Sequence, residues 1–471
     1  MEYDYKYDNI KNDSDKSDWK PLFRQLVISS GIWVVYFCMG LCMGAPTVFI
    51  PQLRKEANST EAVSEEMASW LSSVFGYSAL PWVIILSVLI NAIGRKYTSI
   101  IMAVCTVGMF VVFYCSQSAT HLLITEIITG VTHSSTMTVT VIVIGEYTSP
   151  KYRGIFLTLK SACLLWGIWV SNAIGTFFFW RYIPLFGFLC SLYTLSVFYW
   201  CESPHWLAAR GRYHDCRKVH RWLKGSGAES ERELEKLIKN HHHLKSREEV
   251  KSLSFIKSLM SREFYVPLSL SLLAVTLYHF SGKFVCSIYS IEIIKRITNN
   301  EGTAYSGMLI LDGVTVFSTY IGCILSKILR RRVLLLTTTF LGITFLFIIS
   351  LYLYLIKLSM ITENNVLTVL FLSGFSICIS CGPIILCTSL YGELIPLKFK
   401  SISVIIISLA FFSLHSTILK ISPIMFKSIG IHGAFMFYGI SSTVIAILIF
   451  KYLPETHNKT LLEIEECFKK R

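Results

Sequence analysis

The chain has 471 residues, of which 53% are hydrophobic and 16% are charged, and its formal net charge is +14. Soluble domains carry about 25% charged residues, so this composition excludes a water-facing globular fold and requires lipid as the solvent for much of the surface. The basic residues lie in short clusters between apolar runs rather than along one soluble face, which argues against nucleic-acid binding. The 14 cysteines show neither zinc-ligand spacing nor a secreted disulfide framework.

The polar, acidic segment at residues 1–22 lacks the apolar core of a signal peptide and is predicted to be a cytoplasmic tail. Runs of about 20 apolar residues, the length that crosses the hydrocarbon core, then recur along the chain. Predicted spans lie near 24–46, 67–91, 98–117, 121–145, 155–178, 183–200, 265–290, 304–326, 333–356, 366–391, 401–421 and 431–451. We therefore predict an all-α integral membrane protein of twelve transmembrane helices in two six-helix bundles, 23–203 and 263–452, with a cytoplasmic tail at 453–471.

Residues 204–262 form the long polar gap between the bundles and are predicted to be short cytoplasmic linker helices. Glu229 to Lys236 carries its charges at helical spacing. The run His241 to His243 is either a metal site or a solvated helix end. The second interpretation is favoured, because no cysteine or carboxylate cluster completes a ligand set. We predict neither a metal nor a cofactor.

Basic residues in the connections between even and odd spans predict the orientation of the chain. Lys and Arg accumulate in cytoplasmic loops, so these connections and both termini are expected on the cytoplasmic side. They are Arg95, Lys96, Lys151, Arg153, Arg330, Arg331, Arg332, Lys398 and Lys400. The longest opposite connection carries Asn58-Ser59-Thr60, a glycosylation acceptor on the expected outer face. We expect a multi-pass protein of the plasma membrane.

The two halves repeat the same charged motifs at similar offsets. Glu146 precedes Arg153 by seven residues, and in the second half Glu393 precedes Lys400 by seven. The basic loop after span two at Arg95 is echoed by the basic loop at Arg330. The acid Glu202 after span six is echoed by Glu455 after span twelve. Such parallel repeats are typical of transporters with two related halves.

Several motifs resemble the sugar-porter family of the major facilitator superfamily, closest in style to insect facilitated trehalose transporter-like proteins. The resemblance covers residues 25 to 466. The matching motifs are Gly94-Arg95-Lys96, Glu146 to Gly154, Glu202 to Leu207 with Gly211-Arg212, Phe280-Ser281-Gly282, Gly382-Pro383 and Pro454 to Leu461. The resemblance implies the major facilitator fold and a small-molecule substrate, a sugar by default.

By resemblance, the cytoplasmic motifs form a gate in which acids at helix ends pair with bases in facing loops. The residues of this gate are Arg95, Glu146, Arg153, Glu202, Arg330, Glu393, Lys400 and Glu455. Exposed ion pairs contribute only about 0–1 kcal/mol each, which suits a gate that opens in every cycle. The alternative is that the bases only set topology, although the paired acids are not needed for that.

The substrate cavity departs from the family pattern, because the amides that would grip a sugar are replaced. The positions that match the family's cavity residues are Ser161, Tyr278, His279, Phe284, Val314, Thr388, Phe411 and Phe412. Outside the cavity, Glu126 stands where the family has an Arg, and Asn91 and Ser326 stand where it has loop acids. The resemblance therefore implies a preserved scaffold around a rewritten cavity.

Two charged residues inside predicted spans replace some of the lost polarity. Lys283 and Asp312 each cost at least about 2.5 kcal/mol to insert, so an unpaired charge there needs a use, and one hypothesis is a cavity-lining pair with His279 able to titrate nearby. The alternative is that Lys283 reaches outward and Asp312 fills a polar gap. His415 is interpreted as a packing histidine, and Lys420 as a residue that reaches the outer interface.

These observations predict facilitated diffusion of trehalose or a hexose-like sugar by alternating access. The acid that proton symporters of this family carry in span one is missing, which favours diffusion over proton coupling. The alternatives are a transporter of another small polar or charged solute and a non-transporting sugar sensor, against which the short tails argue. No constellation of catalytic residues appears, so an enzyme is not expected. The predicted partners are the solute and the lipid bilayer, with a monomer as the functional unit.

Overall fold

The computed structural model describes residues 19–57, 63–245, 261–395 and 399–455, with the side chains of 240–245, 388, 391–393 and 400 outside the description. Within these ranges, twelve helical segments are long and apolar enough to cross a membrane. They are numbered spans 1 to 12 in chain order. The prediction of an all-α membrane protein with twelve spans is confirmed.

Spans 1 to 6 form the first half. Their helices are Trp19–Glu56; Glu65–Leu71 with Val74–Ala92; Arg95–Cys115; Ala119–Tyr147; Pro150–Phe177; and Tyr182–Leu192 continued by the 3₁₀ helix Tyr193–Tyr199. Span 1 ends at Glu56 rather than near 46, because its helix continues through Pro46 and Pro51 into a polar end that a hydropathy criterion does not reach.

Spans 7 to 12 form the second half. Their helices are Arg262–Phe280 with Lys283–Ile288; Glu301–Ile328; Arg331–Lys357; Asn365–Cys381 with Pro383–Leu394; Lys400–Ser428; and Gly430–Tyr452. The helix Ser290–Thr298 joins spans 7 and 8. Helices satisfy their own backbone hydrogen bonds, which is why apolar runs of this length adopt them in lipid.

Close helix packing holds the first half together at spans 1 and 5. A Cβ atom on Gly40 would lie 2.1 Å from the Leu164 carbonyl oxygen, and one on Gly167 would lie 2.2 Å from the Phe37 carbonyl oxygen. Only glycine permits this approach of two backbones, as is typical of helix interfaces in membranes. The contact fixes the rotation of span 5, whose opposite face meets span 8 of the second half.

In the described part of the linker, three helices, Pro204–Ala209, Tyr213–Lys224 and Ala228–Lys245, follow span 6 and pack beside the first half. Trp206 Nε1 and Arg210 Nη2 donate to the Asn91 carbonyl oxygen at 3.0 and 3.1 Å, which satisfies the last carbonyls of span 2. Leu207, Cys216 and Leu234 form a small apolar cluster between the linker helices. The expected helical linker is therefore present through residue 245, while the side chains of His241 to His243 lie outside the description.

Candidate functional site

The site begins at a break in span 7, where Gly282 has a φ of 75° between the helices Arg262–Phe280 and Lys283–Ile288. This left-handed conformation favours glycine and ends the first helix. It places Lys283 in the first turn of the second helix, where the side chain is 3% exposed. The break thus puts a lysine within the membrane-spanning part of the protein.

Asp312 of span 8 is equally buried and is held by two neutral donors. Its Oδ2 accepts a hydrogen bond from Asn172 Nδ2 at 2.6 Å, and its Oδ1 accepts one from Ser287 Oγ at 2.8 Å. Asn172 belongs to span 5 and Ser287 to span 7, so the carboxylate joins the two halves. This arrangement satisfies both carboxylate oxygens, as burial of a charge requires.

Lys283 and Asp312 line one cavity and interact electrostatically. The space open to the centre of a water-sized sphere is about 10 Å³, which is no more than one water needs. The rest of the lining is Leu165, Ile168, Phe284, Ser287, Thr315 and Ile384. The structure therefore brings together Lys283, Phe284 and Asp312 of the predicted cavity residues.

Aromatic residues form the flank of the site on the side of span 11. Tyr278 packs against Phe284 and Phe411 with ring centroids 5.1 and 5.4 Å apart. His279 lies 4.5 Å from Phe411, and Phe411 lies 5.5 Å from Phe412. These predicted residues form one buried aromatic wall.

His133 and His415 extend this wall across the seam between the halves. The His415 ring lies 5.2 Å from His279 and 6.2 Å from His133 of span 4. Five ring nitrogens of these three histidines lack a hydrogen-bond partner among the described residues: both of His133, both of His415 and Nε2 of His279. Sequence reasoning missed His133, because a lone histidine in an apolar run gives no signal until its neighbours are known. Among the described residues, no group of three His, Cys, Asp or Glu side chains is placed to hold a metal ion.

Two predicted cavity residues fall outside this assembly. The Ser161 hydroxyl contacts the Leu157 carbonyl oxygen of its own helix at 3.5 Å, and the cavity is lined instead by Leu165 and Ile168 of the same span. Thr388 lies in the helix Pro383–Leu394, but its side chain is outside the description. Ser161 and Leu165 lie on the same face of span 5 but one helical turn apart, so the depth of the cavity along the helix decides which of them lines it.

The halves are joined at the end of the bundle away from Trp19 and Tyr452, which we call the distal end; the opposite end is the terminal end. There, Ser416 Oγ donates to the Ser73 carbonyl oxygen at 2.7 Å, and Thr47 Oγ1 donates to the Ile288 carbonyl oxygen at 2.9 Å. A further ion pair lies between Lys427 and Glu65 at 3.2 Å. These contacts close the distal side of the site.

A charged network lies at the terminal end of the first half. Arg95 makes two bonds to Glu146, Nε to Oε2 at 2.8 Å and Nη2 to Oε1 at 2.7 Å, and Ser203 Oγ also donates to Glu146. Glu202 Oε1 accepts from the backbone N–H of Arg95 at 2.8 Å. Burial raises the pKa of Glu202, against the opposing effect of its backbone hydrogen bonds. Arg153, predicted to take part, donates instead to the Thr148 carbonyl oxygen at 3.3 Å.

The second half carries a related network around Glu455. The backbone N–H of Arg332 donates to Glu455 Oε2 at 3.3 Å, and Arg331 interacts electrostatically with the same carboxylate. Arg330 is exposed at the N-cap of span 9, one residue before these contacts. Glu393 and Lys400 have side chains outside the description, and Asn58 lies outside the described residues.

The linker contributes a buried ion pair beside the first half. Lys224, whose side chain is 2% exposed, bonds Glu233 Oε1 at 2.8 Å. Burial lowers the pKa of Lys224, an effect that the hydrogen bond to Glu233 opposes. Burial is the largest single effect and raises the pKa of Glu233, but the hydrogen bond from Lys224 and the attraction of neighbouring positive charges together outweigh it, so the pKa is lowered overall. The pair anchors the third linker helix to the second.

Residues 28–468 match the family model described as "Sugar (and other) transporter". The facilitated trehalose transporter Tret1 of Drosophila willistoni is 25% identical over 95% of this chain and 51% of its own length. Tret1 of Apis mellifera ligustica is 23% identical over 94% of this chain and 88% of its own length. The chain spans about half the length of the first curated relatives that it matches.

Solved structures share the architecture. The proton:xylose symporter XylE bound to 6-bromo-6-deoxy-D-glucose superposes with a TM-score of 0.77 at 15% identity, covering 94% of this chain and 99% of that one. The inward-open conformation of XylE from E. coli gives a TM-score of 0.73 at 14% identity, with the same coverage. At this identity the likeness concerns the fold, in which two six-helix halves enclose a central site.

Proposed function

This chain belongs to the sugar (and other) transporter family, and from that premise we propose that it moves a sugar across a membrane by alternating access. Trehalose and hexose-like sugars are the proposed substrates, since the matched relatives are named as facilitated trehalose transporters. The observation that carries the proposal is the buried polar site at the seam of the two halves, formed by Asn172, Ser287 and Asp312.

Alternating access requires that the distal end open without unfolding either half. The polar contacts described at that end are mostly neutral hydrogen bonds, such as Ser416 to Ser73 and Tyr77 to Thr417. A neutral hydrogen bond contributes about 0.5–1.5 kcal/mol net, so a handful of them can break in one step of a cycle. The packed interiors of the halves then move as rigid bodies.

The charged networks at the terminal end are proposed to stiffen each half near the second gate. Arg95, Glu146 and Glu202 tie spans 3 and 4 to the segment after span 6, and Glu455 ties the start of span 9 to the end of span 12. We propose that the second gate also includes Arg153, Arg330, Glu393 and Lys400. These bases and acids meet when the terminal end closes. The networks described join helices of one half each.

We further propose the organisation that the sequence predicts. Tails at 1–22 and 453–471 and the linker at 204–262 lie in the cytoplasm, and the bundles are 23–203 and 263–452. The protein acts as a monomer in the plasma membrane, with Asn58 on the outer face. The absence of an acid from residues 24–46 supports facilitated diffusion rather than proton coupling.

A direct test is uptake of labelled glucose and trehalose in oocytes at about pH 5.5 and about pH 7.5, values on either side of histidine titration. We expect saturable uptake that is independent of pH. A matched pair of variants controls for expression: Gly76→Val places a side chain where Ser416 Oγ lies 2.1 Å away, while Gly108→Val meets nothing within 4 Å. Loss of uptake only in the first supports movement at the seam. No uptake from surface-expressed wild type would contradict the proposal.

A second candidate is a transporter of a charged solute. The buried Lys283 and Asp312 favour it, because a neutral sugar needs neither charge.

A further inference from the structure

The buried carboxylate of the site is already satisfied by the protein. Asp312 accepts from Asn172 on one oxygen and from Ser287 on the other, so its charge is stabilised without a ligand. A cationic group entering the cavity would compete with two short hydrogen bonds. The site therefore gains little by binding an ammonium through Asp312.

The buried ammonium of the site is not satisfied in this way. Lys283 has three N–H donors and lines the cavity, yet in the part of the chain that the structure describes its Nζ donates to no side chain or carbonyl. The attraction to Asp312 acts at longer range. Because an ammonium loses its hydration on burial, an acceptor that enters the cavity is stabilised by all three donors.

The remaining polar groups of the cavity are suited to hydroxyls. Ser287 contributes a hydroxyl oxygen to the lining, whereas the Thr315 hydroxyl already bonds the Leu311 carbonyl oxygen and Ser376. Asn172 Oδ1, beside the cavity, is a buried acceptor with no partner among the described residues. Leu165 and Ile168 supply an apolar surface on the opposite side. One unpaired cation beside hydroxyl and amide groups fits a ligand with one negative charge and several hydroxyls.

We propose that the preferred substrate is a sugar acid, a monosaccharide whose carboxylate is held by the Lys283 ammonium after the cavity, which has room for about one water in this structure, widens as the halves move apart. This inference rests on the proposed transport function and specifies its substrate class. A neutral sugar leaves the Lys283 ammonium unpaired. The ammonium group of an amino acid needs a protein carboxylate as its partner, but both oxygens of Asp312 already accept hydrogen bonds. The carboxylate binds Lys283, and sugar hydroxyls donate to Ser287 Oγ and to Asn172 Oδ1 beside the cavity, which act as acceptors because their own donors already bond Asp312.

The test compares uptake of labelled glucuronate and glucose by the full chain in proteoliposomes held at zero membrane potential. We expect a KM for glucuronate at least about tenfold below that for glucose, the factor that 1.4 kcal/mol of added binding supplies. Lys283→Gln should raise the glucuronate KM by about tenfold more than it changes the glucose KM. Lys451→Gln, which removes an exposed lysine at the end of span 12, is the matched control and should change neither.

Opposite effects of the two charges separate binding from a structural role. Asp312→Asn keeps an amide that can bond Asn172 but removes the negative charge, so it should lower the glucuronate KM. Lys283→Arg keeps the positive charge and should retain the preference for the acid. If both charge-removing variants lose glucuronate and glucose uptake equally, the two residues only support the fold and the inference is overturned.

The remaining outcomes distinguish this inference from the proposed function. Glucose uptake without a preference for glucuronate refutes the inference and leaves sugar transport standing. If neither sugar is transported, sugar transport fails, and thermal protection of the purified chain by glucuronate decides the inference alone. Protection of wild type but not of Lys283→Gln supports it, whereas protection of neither, or of both equally, overturns it.

Discussion

The position of the Glu202 carboxylate depends on the small size of Gly94, and replacing this glycine should weaken the charged network at the terminal end. Gly94 has φ 100° and ψ 173°, and a Cβ atom there would lie 2.3 Å from Glu202 Oε2. Gly225 has nearly the same backbone, with φ 80° and ψ −179°, but its Cβ would meet only Pro21 Cγ at 3.4 Å. Gly94→Ala and Gly225→Ala should therefore have similar backbone strain, and only Gly94→Ala should disturb Glu202.

The strain in this backbone region costs about 1–3 kcal/mol in either variant. Gly94→Ala must also displace the carboxylate from the backbone N–H groups of Arg95 at 2.8 Å and Lys96 at 3.2 Å. Hydrogen bonds to a charged group contribute about 1.5–3 kcal/mol each. Because Glu202 is partly exposed and water replaces some of this loss, we expect an additional destabilisation of about 2 kcal/mol.

The assay is thermal unfolding of the purified variants in one detergent. We expect a lower midpoint for Gly94→Ala than for Gly225→Ala. Adding Glu202→Ala should cost little in the Gly94→Ala background and more in wild type, because the two positions act through one contact. Equal midpoints for the two glycine variants, or fully additive effects with Glu202→Ala, would refute the reasoning.

Two further outcomes concern the polar groups outside the spans. Glu233→Gln removes the ionic partner of the buried Lys224 and should destabilise the linker by about 1.5–3 kcal/mol. The control Glu231→Gln loses an exposed pair with Arg221 and should cost less than about 1 kcal/mol. Limited proteolysis of the linker measures both changes. Folding raises the pKa of Glu202 above its ordinary value of 4.5. The stability that this shift contributes to the folded state is therefore present below pH 4.5 and is lost as the pH rises through the raised pKa. Glu202→Gln should therefore show a smaller fall in unfolding midpoint than wild type as pH rises from about 4 to about 7, and parallel curves would contradict this.

A last prediction concerns His133, whose two ring nitrogens are buried at the seam without partners. His133→Leu replaces them by apolar atoms and should stabilise the closed distal end, since unsatisfied buried polar groups cost about 1–3 kcal/mol each. Labelling of a cysteine introduced at Thr417 should slow in this variant and stay unchanged in the exposed His214→Leu. Faster labelling would show that His133 holds the seam together.

Membrane insertion makes the architecture readable from the sequence. Each span must be apolar over the full hydrocarbon width and must satisfy its own backbone, so the number of spans, their approximate positions and a polar linker could be predicted from the sequence. The same constraint singled out Lys283 and Asp312, because charges inside a span are costly. The end of span 1 was predicted too early, since its last turns are polar and project beyond the apolar run.

Only the tertiary structure decided which side chains meet across the helices. The sequence suggested that Asp312 pairs with Lys283, but the rotation of span 5, set by the glycine contact with span 1, brings Asn172 to that carboxylate. The depth of the cavity decides that Leu165 rather than Ser161 lines it, because the two residues lie one turn apart on the same face of span 5. A sequence records which residues are apolar or charged along one helix, whereas contacts between helices depend on rotation and depth, which packing of all the spans determines together.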